Sequence, residues 1–162
     1  RANLIDVAVV TSPFADKTGL NINVIKKLQD IVAAGNGFSY LKDKEISLHE
    51  LVKYPLICLK NTTTTRNYLD HIFRQHNLLL RPDIELTSIN FVMPMVKNNL
   101  GIGFMQYATT KAEIEAGNIF RVNTKEQIPP RSICAVTASQ YETPEPVQRF
   151  IDSLLEKESV NI

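Results

Sequence analysis

The stretch Tyr54 to Phe73, YPLICLKNTTTTRNYLDHIF, constrains this chain more than any other. Pro55, Leu56, Ile57, Cys58 and Leu59 form an apolar run bounded by turn residues, the pattern of a strand buried on both faces. Asn61 and four threonines, Thr62 to Thr65, follow, and then Arg66. Beyond them Leu69, Ile72 and Phe73 recur at helical spacing. The segment therefore reads as strand, polar turn, helix. Such an order puts the threonines where a strand ends and a helix begins. Unpaired backbone N–H groups and the positive end of the helix dipole favour a small anionic or polar ligand there. Open α/β sheets bind ligands at that edge. A plainer use competes: one threonine caps the helix and the others are solvated.

The rest of the chain repeats strand and helix, with strands too apolar to be one-sided, which argues an α/β layer architecture with mostly parallel strands. Leu4 to Val10 is nearly continuous apolar and β-branched, as a central strand would be, and ends at Thr11 and Ser12. Ala15 to Asn21 reads as a loop. Asn23 to Leu28 and Asp30 to Ala34 read as two short strands or one bent one, closed by Gly35, Asn36 and Gly37. Ser47 and Glu50 make a capping box, with Ile46 positioned to staple onto Leu51. The helix after the threonines is expected over about Thr65 to His76. Ile84 to Thr87 is a further strand, and Thr87 with Ser88 opens a helix in which Pro94 requires a kink or a late start. Leu100 to Met105 is strand-like, with Gly101 and Gly103 permitting close backbone approach. These two glycines lack the third one of a dinucleotide fingerprint. Thr110 and Glu113 predict a second capping box, and Gly117 ends that helix. Ile119 to Val122 is a strand, and Arg131 to Thr137 is another, after a crossing at Pro129 and Pro130. Thr143 and Pro144 then open a closing helix with the apolar stripe Val147, Phe150, Ile151, Leu154 and Leu155.

At 162 residues the chain suffices for one sizeable core or for two small lobes. A net charge of +1, with lysines and arginines scattered, leaves no bulk electrostatic footprint for nucleic acid or a membrane surface. No apolar stretch is long enough to span a bilayer, and no secretory signal is visible. The chain opens at Arg1, without Met, and enters a strand almost at once, as a fragment of a longer chain would. Cys58 and Cys134 each sit inside an apolar strand-like run and are expected as buried, reduced thiols, in keeping with a cytosolic origin. His49, His71 and His76 do not supply the spacing of a metal site. No cofactor, metal or catalytic residue is expected, since no histidine or cysteine has an evident triad partner.

The order of landmarks resembles the effector-binding domain of LysR-type transcriptional regulators. It rests on IDVAVV, PLICL with its Thr-rich turn and Arg66, PDIEL followed by TS, NNLGIGF, IEAGNIFRV, PPRSICAV and QRFIDSLL. These cover almost the whole chain, in the family's order. The resemblance implies a two-lobed, type-2 periplasmic-binding-protein-like α/β fold with mostly parallel sheets flanked by helices. Residues 1–50 with 130–162 would form lobe one and 51–129 lobe two, joined by two crossover strands. The winged helix-turn-helix and the opening of lobe one are missing relative to the family, so lobe one is incomplete. Thr11, Ser12, Thr62, Thr63, Thr64, Arg66, Thr87 and Ser88 would then face one cleft and bind the effector. The family often has Gly-Ser or Ser-Ser in the turn where this chain has only threonines, whose extra methyl groups change which hydroxyl reaches the ligand. By the same resemblance the helix after the turn offers Tyr68 and His71 to a partner. The full-length protein would be a homo-oligomer, dimer or tetramer, meeting DNA only through the missing amino-terminal domain.

The function so implied is ligand sensing, without chemistry, in a cytoplasmic transcription regulator. An extracytoplasmic solute-binding protein of the same fold class and a small enzyme using the cleft stand as alternatives. Helix starts, hydroxyls and Arg66 point to a small effector carrying a carboxylate or phosphate.

Overall fold

Leu56, Ile57 and Cys58 are all buried in the computed structural model, which describes residues 5–14 and 16–159. Their strand sends Leu56 and Cys58 into one hydrophobic cluster and Ile57 into another, as the two-residue period of a strand dictates. The chain divides into two compact units, residues 29–129 and residues 1–28 with 130–162.

In the larger unit β3 (Asp30–Gly35), β4 (Glu45–Ile46), β5 (Leu56–Leu59), β6 (Ile84–Leu86), β7 (Ile102–Gln106) and β8 (Ile119–Thr124) form one sheet. Their order is β4-β8-β3-β7-β5-β6. On one face lie α1 (Leu48–Leu51) and α2 (Thr64–Gln75), whose Leu48, Leu51, Leu69, Ile72 and Phe73 join the first cluster. On the other lies α3 (Val92–Lys97), with Val92 and Val96 in the second cluster, against which Ile114 of α4 (Tyr107–Glu115) also packs. Residues 29–50, expected with the first lobe, belong here, because β3 hydrogen-bonds between β7 and β8.

The smaller unit pairs β1 (Ala8–Thr11), β9 (Arg131–Ala138) and β2 (Leu20–Leu28) in the order β1-β9-β2. Its closing helix α5 (Glu145–Ser159) buries Ile151 of the expected stripe but leaves Phe150 45 % exposed. The first strand is shorter than expected and, among the described residues, sits at the sheet edge with Val9 and Val10 exposed. Leu4 and Ala15 lie outside the described residues.

The sheets are mixed, where mostly parallel strands were expected. Pairs β5–β6, β5–β7 and β4–β8 are parallel, whereas β3 runs against both β7 and β8 and the smaller sheet is antiparallel throughout. Two-sided burial makes a strand apolar whichever way its neighbours run, so composition did not separate the cases. The parallel pairing of β5 with β6 and β7 follows the helical crossovers, which α2 and α3 supply.

Local signals mostly hold. Ser47 and Glu50 form the capping box, with Glu50 N to Ser47 Oγ at 3.2 Å and Ser47 N to Glu50 Oε2 at 2.9 Å. Those bonds from Ser47 hold the Glu50 carboxyl below its usual range. Pro94 produces a late start: a 3-10 turn, Ile89–Phe91, precedes α3, and the proline falls in the first turn, where its missing N–H had no intrahelical partner to lose. The last helix starts one residue after Pro144, whose carbonyl accepts from Val147 N and Gln148 N. Thr110 is not a cap. Helix α4 begins three residues earlier, and the fully buried Thr110 donates its hydroxyl to the carbonyls of Gln106 and Tyr107. Glu113 binds Lys97 and Asn118 instead.

Gly101 lies where β7 begins beside Pro55, and a Cβ there would sit 2.7 Å from the Pro55 carbonyl oxygen. That oxygen already accepts from Ile102 N at 2.8 Å, so it has no freedom to retreat. Gly101→Ala should lower the unfolding free energy by about 1–3 kcal/mol in urea denaturation. An unchanged midpoint would mean that the strands can part there at no cost.

Candidate functional site

Three neighbouring parallel strands set the site. Leu59 stands level with Leu86, and Ile57 with Gly103, so β6, β5 and β7 end at the same edge of the sheet. Each leads into a helix start: β5 into α2 through 60–63, β6 into the 3-10 turn and α3 through Thr87 and Ser88, β7 directly into α4 at Tyr107. After β5 the chain goes to one face of the sheet, with α2; after β7 it goes to the other, with α4. Two adjacent strands whose connections diverge in this way form the kind of switch point at which α/β sheets take ligands. Thr62 and Thr63 stand at the end of β5, and Gln106 with Tyr107 at the end of β7. The sequence reading missed Gln106 and Tyr107, because the capping-box pattern at Thr110 placed that helix start too late.

Within this edge the threonines divide their roles. Thr63 is the N-cap of α2: its Oγ1 accepts from Arg66 N at 3.2 Å and donates to the Lys60 carbonyl at 2.9 Å. Its hydroxyl is thus committed to the turn. Thr62 and Thr64 flank it, both exposed. Thr87 is exposed, and Ser88 Oγ accepts from Asn90 N at 3.4 Å, capping the 3-10 turn. Lys60 N donates to the Leu86 carbonyl at 2.9 Å, holding the two turns side by side. Thr11 and Ser12 lie in the smaller unit, at the end of β1, where Ser12 Oγ accepts from Ser132 N at 2.8 Å.

Arg66 does not present its charge at the strand ends, as had been expected. It is 7 % exposed, and its guanidinium bonds Asp70 (2.9 Å), the Leu59 carbonyl (3.1 Å), Glu85 (2.7 Å) and the Leu80 carbonyl (3.1 Å). One side chain thereby ties α2 to the end of β5, to β6 and to the loop between them. Burial alone would lower its pKa, but the bonds to Glu85 and Asp70 outweigh that and raise it. Tyr68 also differs from expectation. It is 8 % exposed and its hydroxyl donates to the Pro129 carbonyl, so it is a core residue and not a partner-facing one; His71 is exposed.

Both cysteines are free thiols inside strands. Desolvation pushes Cys58 up to about 12 and raises Cys134 as well, which removes either from thiolate chemistry near neutral pH. Among the described residues no three His, Cys, Asp or Glu side chains cluster to hold a metal ion.

Two outcomes follow. Arg66→Met should cost about 3 kcal/mol in urea denaturation, the scale for breaking a buried ion pair. Arg66→Lys should recover only part of it, since an ammonium cannot span four acceptors. Full stability of the Met variant would refute the anchoring role. Iodoacetamide at pH 8 should leave Cys58 unmodified in the native chain and alkylate it in urea; rapid native labelling would contradict the burial.

A sheet whose neighbouring parallel strands run out into diverging helix starts has the architecture of ligand-binding α/β modules. Residues 1–159 match the LysR substrate binding domain, and the chain belongs to that family. Among its relatives is the HTH-type transcriptional activator CmpR of Synechocystis, 29 % identical over 105 residues, a match covering 64 % of this chain and 34 % of CmpR. The chain thus spans about a third of that relative. The regulatory domain of CcmR from Synechocystis PCC6803, solved in complex with 2-PG, superposes with a TM-score of 0.79 at 19 % identity, over 95 % of this chain and 74 % of that one. The effector binding domain of QuiR in complex with shikimate gives 0.74 at 18 % identity, over 94 % and 71 %. The fold is accordingly that of LysR regulatory domains.

Proposed function

We propose that this chain is the effector-sensing part of a LysR-type transcription regulator, and that its larger unit takes a small anionic molecule in the crevice between the β5 and β7 turns. The observation that carries this reading is the convergence of the starts of α2 and α4 on one switch point, where the positive ends of two helix dipoles favour an anion. Thr62 and Thr64 supply hydroxyls, Gln106 an amide, and Thr87 with Ser88 the far wall. Thr63 holds the turn in shape. In this reading the domain binds and performs no chemistry. The structures of CcmR with 2-PG and of QuiR with shikimate support a small polar ligand as the first class to try. In the longer protein, which we propose to be a homo-oligomer, effector binding would change how a separate DNA-binding part acts; CmpR is named as an activator of the HTH type. No helix among the described residues is long and apolar enough to cross a membrane.

A screen of small carboxylates and phosphates, beginning with 2-PG and shikimate, tests the reading by thermal shift and calorimetry. For a ligand so found, the double variant Thr62→Val, Thr64→Val should bind about a hundredfold more weakly, from two lost bonds to a charged group. Its melting temperature without ligand should be unchanged. Thr63→Val should instead lower stability by about 1 kcal/mol, as loss of a cap does. A ligand whose affinity ignores the double variant does not bind at this turn.

A further inference from the structure

A second polar cavity lies in the larger unit, along the side of α2. It measures about 280 Å³ and is lined by Arg66, Asp70 and Arg74 on the helix, by Asn61 before it and by Leu79 to Arg81 after it. We propose that it is an oxyanion site, built for a small free molecule bearing a carboxylate or phosphate, separate from the crevice between β5 and β7.

The helix delivers Arg66, Asp70 and Arg74 at successive four-residue steps, which puts them on one stripe. Arg66 forms the floor. A guanidinium has five N–H donors, and those of Arg66 meet Asp70, Leu59, Glu85 and Leu80, so one N–H on Nη2 has no acceptor among the described residues. That leftover donor belongs to a side chain only 7 % exposed and lining the cavity. Both carboxylates nearby, Asp70 and Glu85, are already engaged with Arg66. Arg74 and Arg81 are exposed, and neither has an ion pair or side-chain hydrogen bond among the described residues. Three arginines against two carboxylates leave a net positive cavity. Planar guanidinium forks match carboxylate and phosphate oxygens two at a time. The amide of Asn61 adds a neutral donor, and Leu79, 61 % exposed, gives an apolar flank. A short carbon skeleton ending in an oxyanion fits that combination.

Inorganic phosphate is the probe. It is titrated into the full chain at constant ionic strength while backbone amide signals are followed by NMR. Saturable shifts are expected at Leu79, Leu80 and Arg81. The double variant Arg74→Gln, Arg81→Gln should weaken binding about tenfold or more, the scale for losing charged hydrogen bonds. Arg74→Lys, Arg81→Lys keeps the charge and loses the forks, and should recover only part of the affinity. Because Arg66 is untouched in every variant, the fold's anchor stays in place, and an unchanged melting temperature confirms it. Shifts confined to residues 62–64 and 106–107 would assign phosphate to the crevice alone and overturn this site. Non-saturable shifts, or full affinity with lysines, would reduce it to unspecific charge attraction. Shifts that appear only with a concentration-dependent change in mass would trace the cavity to contacts between copies, and would overturn the free-ligand proposal too.

Discussion

Arg66 carries a charge out of water, and the arrangement of the larger unit follows from what it takes to keep it there. Burying a guanidinium costs several kcal/mol unless nearly every donor finds a partner. The partners come from four places: Asp70 one turn along α2, the Leu59 carbonyl as β5 ends, Glu85 on β6 and the Leu80 carbonyl before it. Glu85 is 44 % exposed, so solvent screens its share, while Asp70 at 16 % retains more of its own. The gain is positional. A helix, the ends of two strands and a loop share one bonded centre, and the turn from Lys60 to Thr63 hangs between fixed points.

That turn sets a capping hydroxyl between exposed ones. Its backbone N–H groups have to be satisfied for α2 to start, and Thr63 meets the demand with its own hydroxyl. The neighbours on either side stay exposed at the edge where the connections diverge. Under the function proposed, capping and ligand binding would fall to different residues. Adjacent threonines divide the work, and a stretch of four identical side chains turns out to be three different positions: a cap, its exposed flanks, and Thr65 within the first turn of the helix.

The likeness to CcmR and QuiR, at under a fifth of residues identical, is a likeness of fold. The fold survives such divergence because what it requires is burial of β3, β5 and β7 on both faces, met by many well-packed sets of apolar residues. Turn residues at the strand ends are free of that requirement. The threonines between β5 and α2 are residues of that kind.

Much of the fold was legible in the residues. The two-sided strand at 56–59, the cap at Ser47, the late helix start forced by Pro94 and the helix after the threonines all follow from short-range chemistry, in which the deciding atoms lie within a few residues of each other. Three matters were decided only by tertiary contact. Strand direction was one, since burial on both faces looks alike in parallel and antiparallel neighbours. The start of α4 was another: Tyr107 N finds the Gln29 carbonyl, 78 residues earlier, as β7 ends, and the helix begins there instead of at Thr110. The third was Arg66. In sequence it is a cation beside a polar turn, as a ligand-binding arginine would be. Only the approach of Glu85 and the Leu80 carbonyl, distant in the chain, turns it inward and makes it the structural centre of the unit.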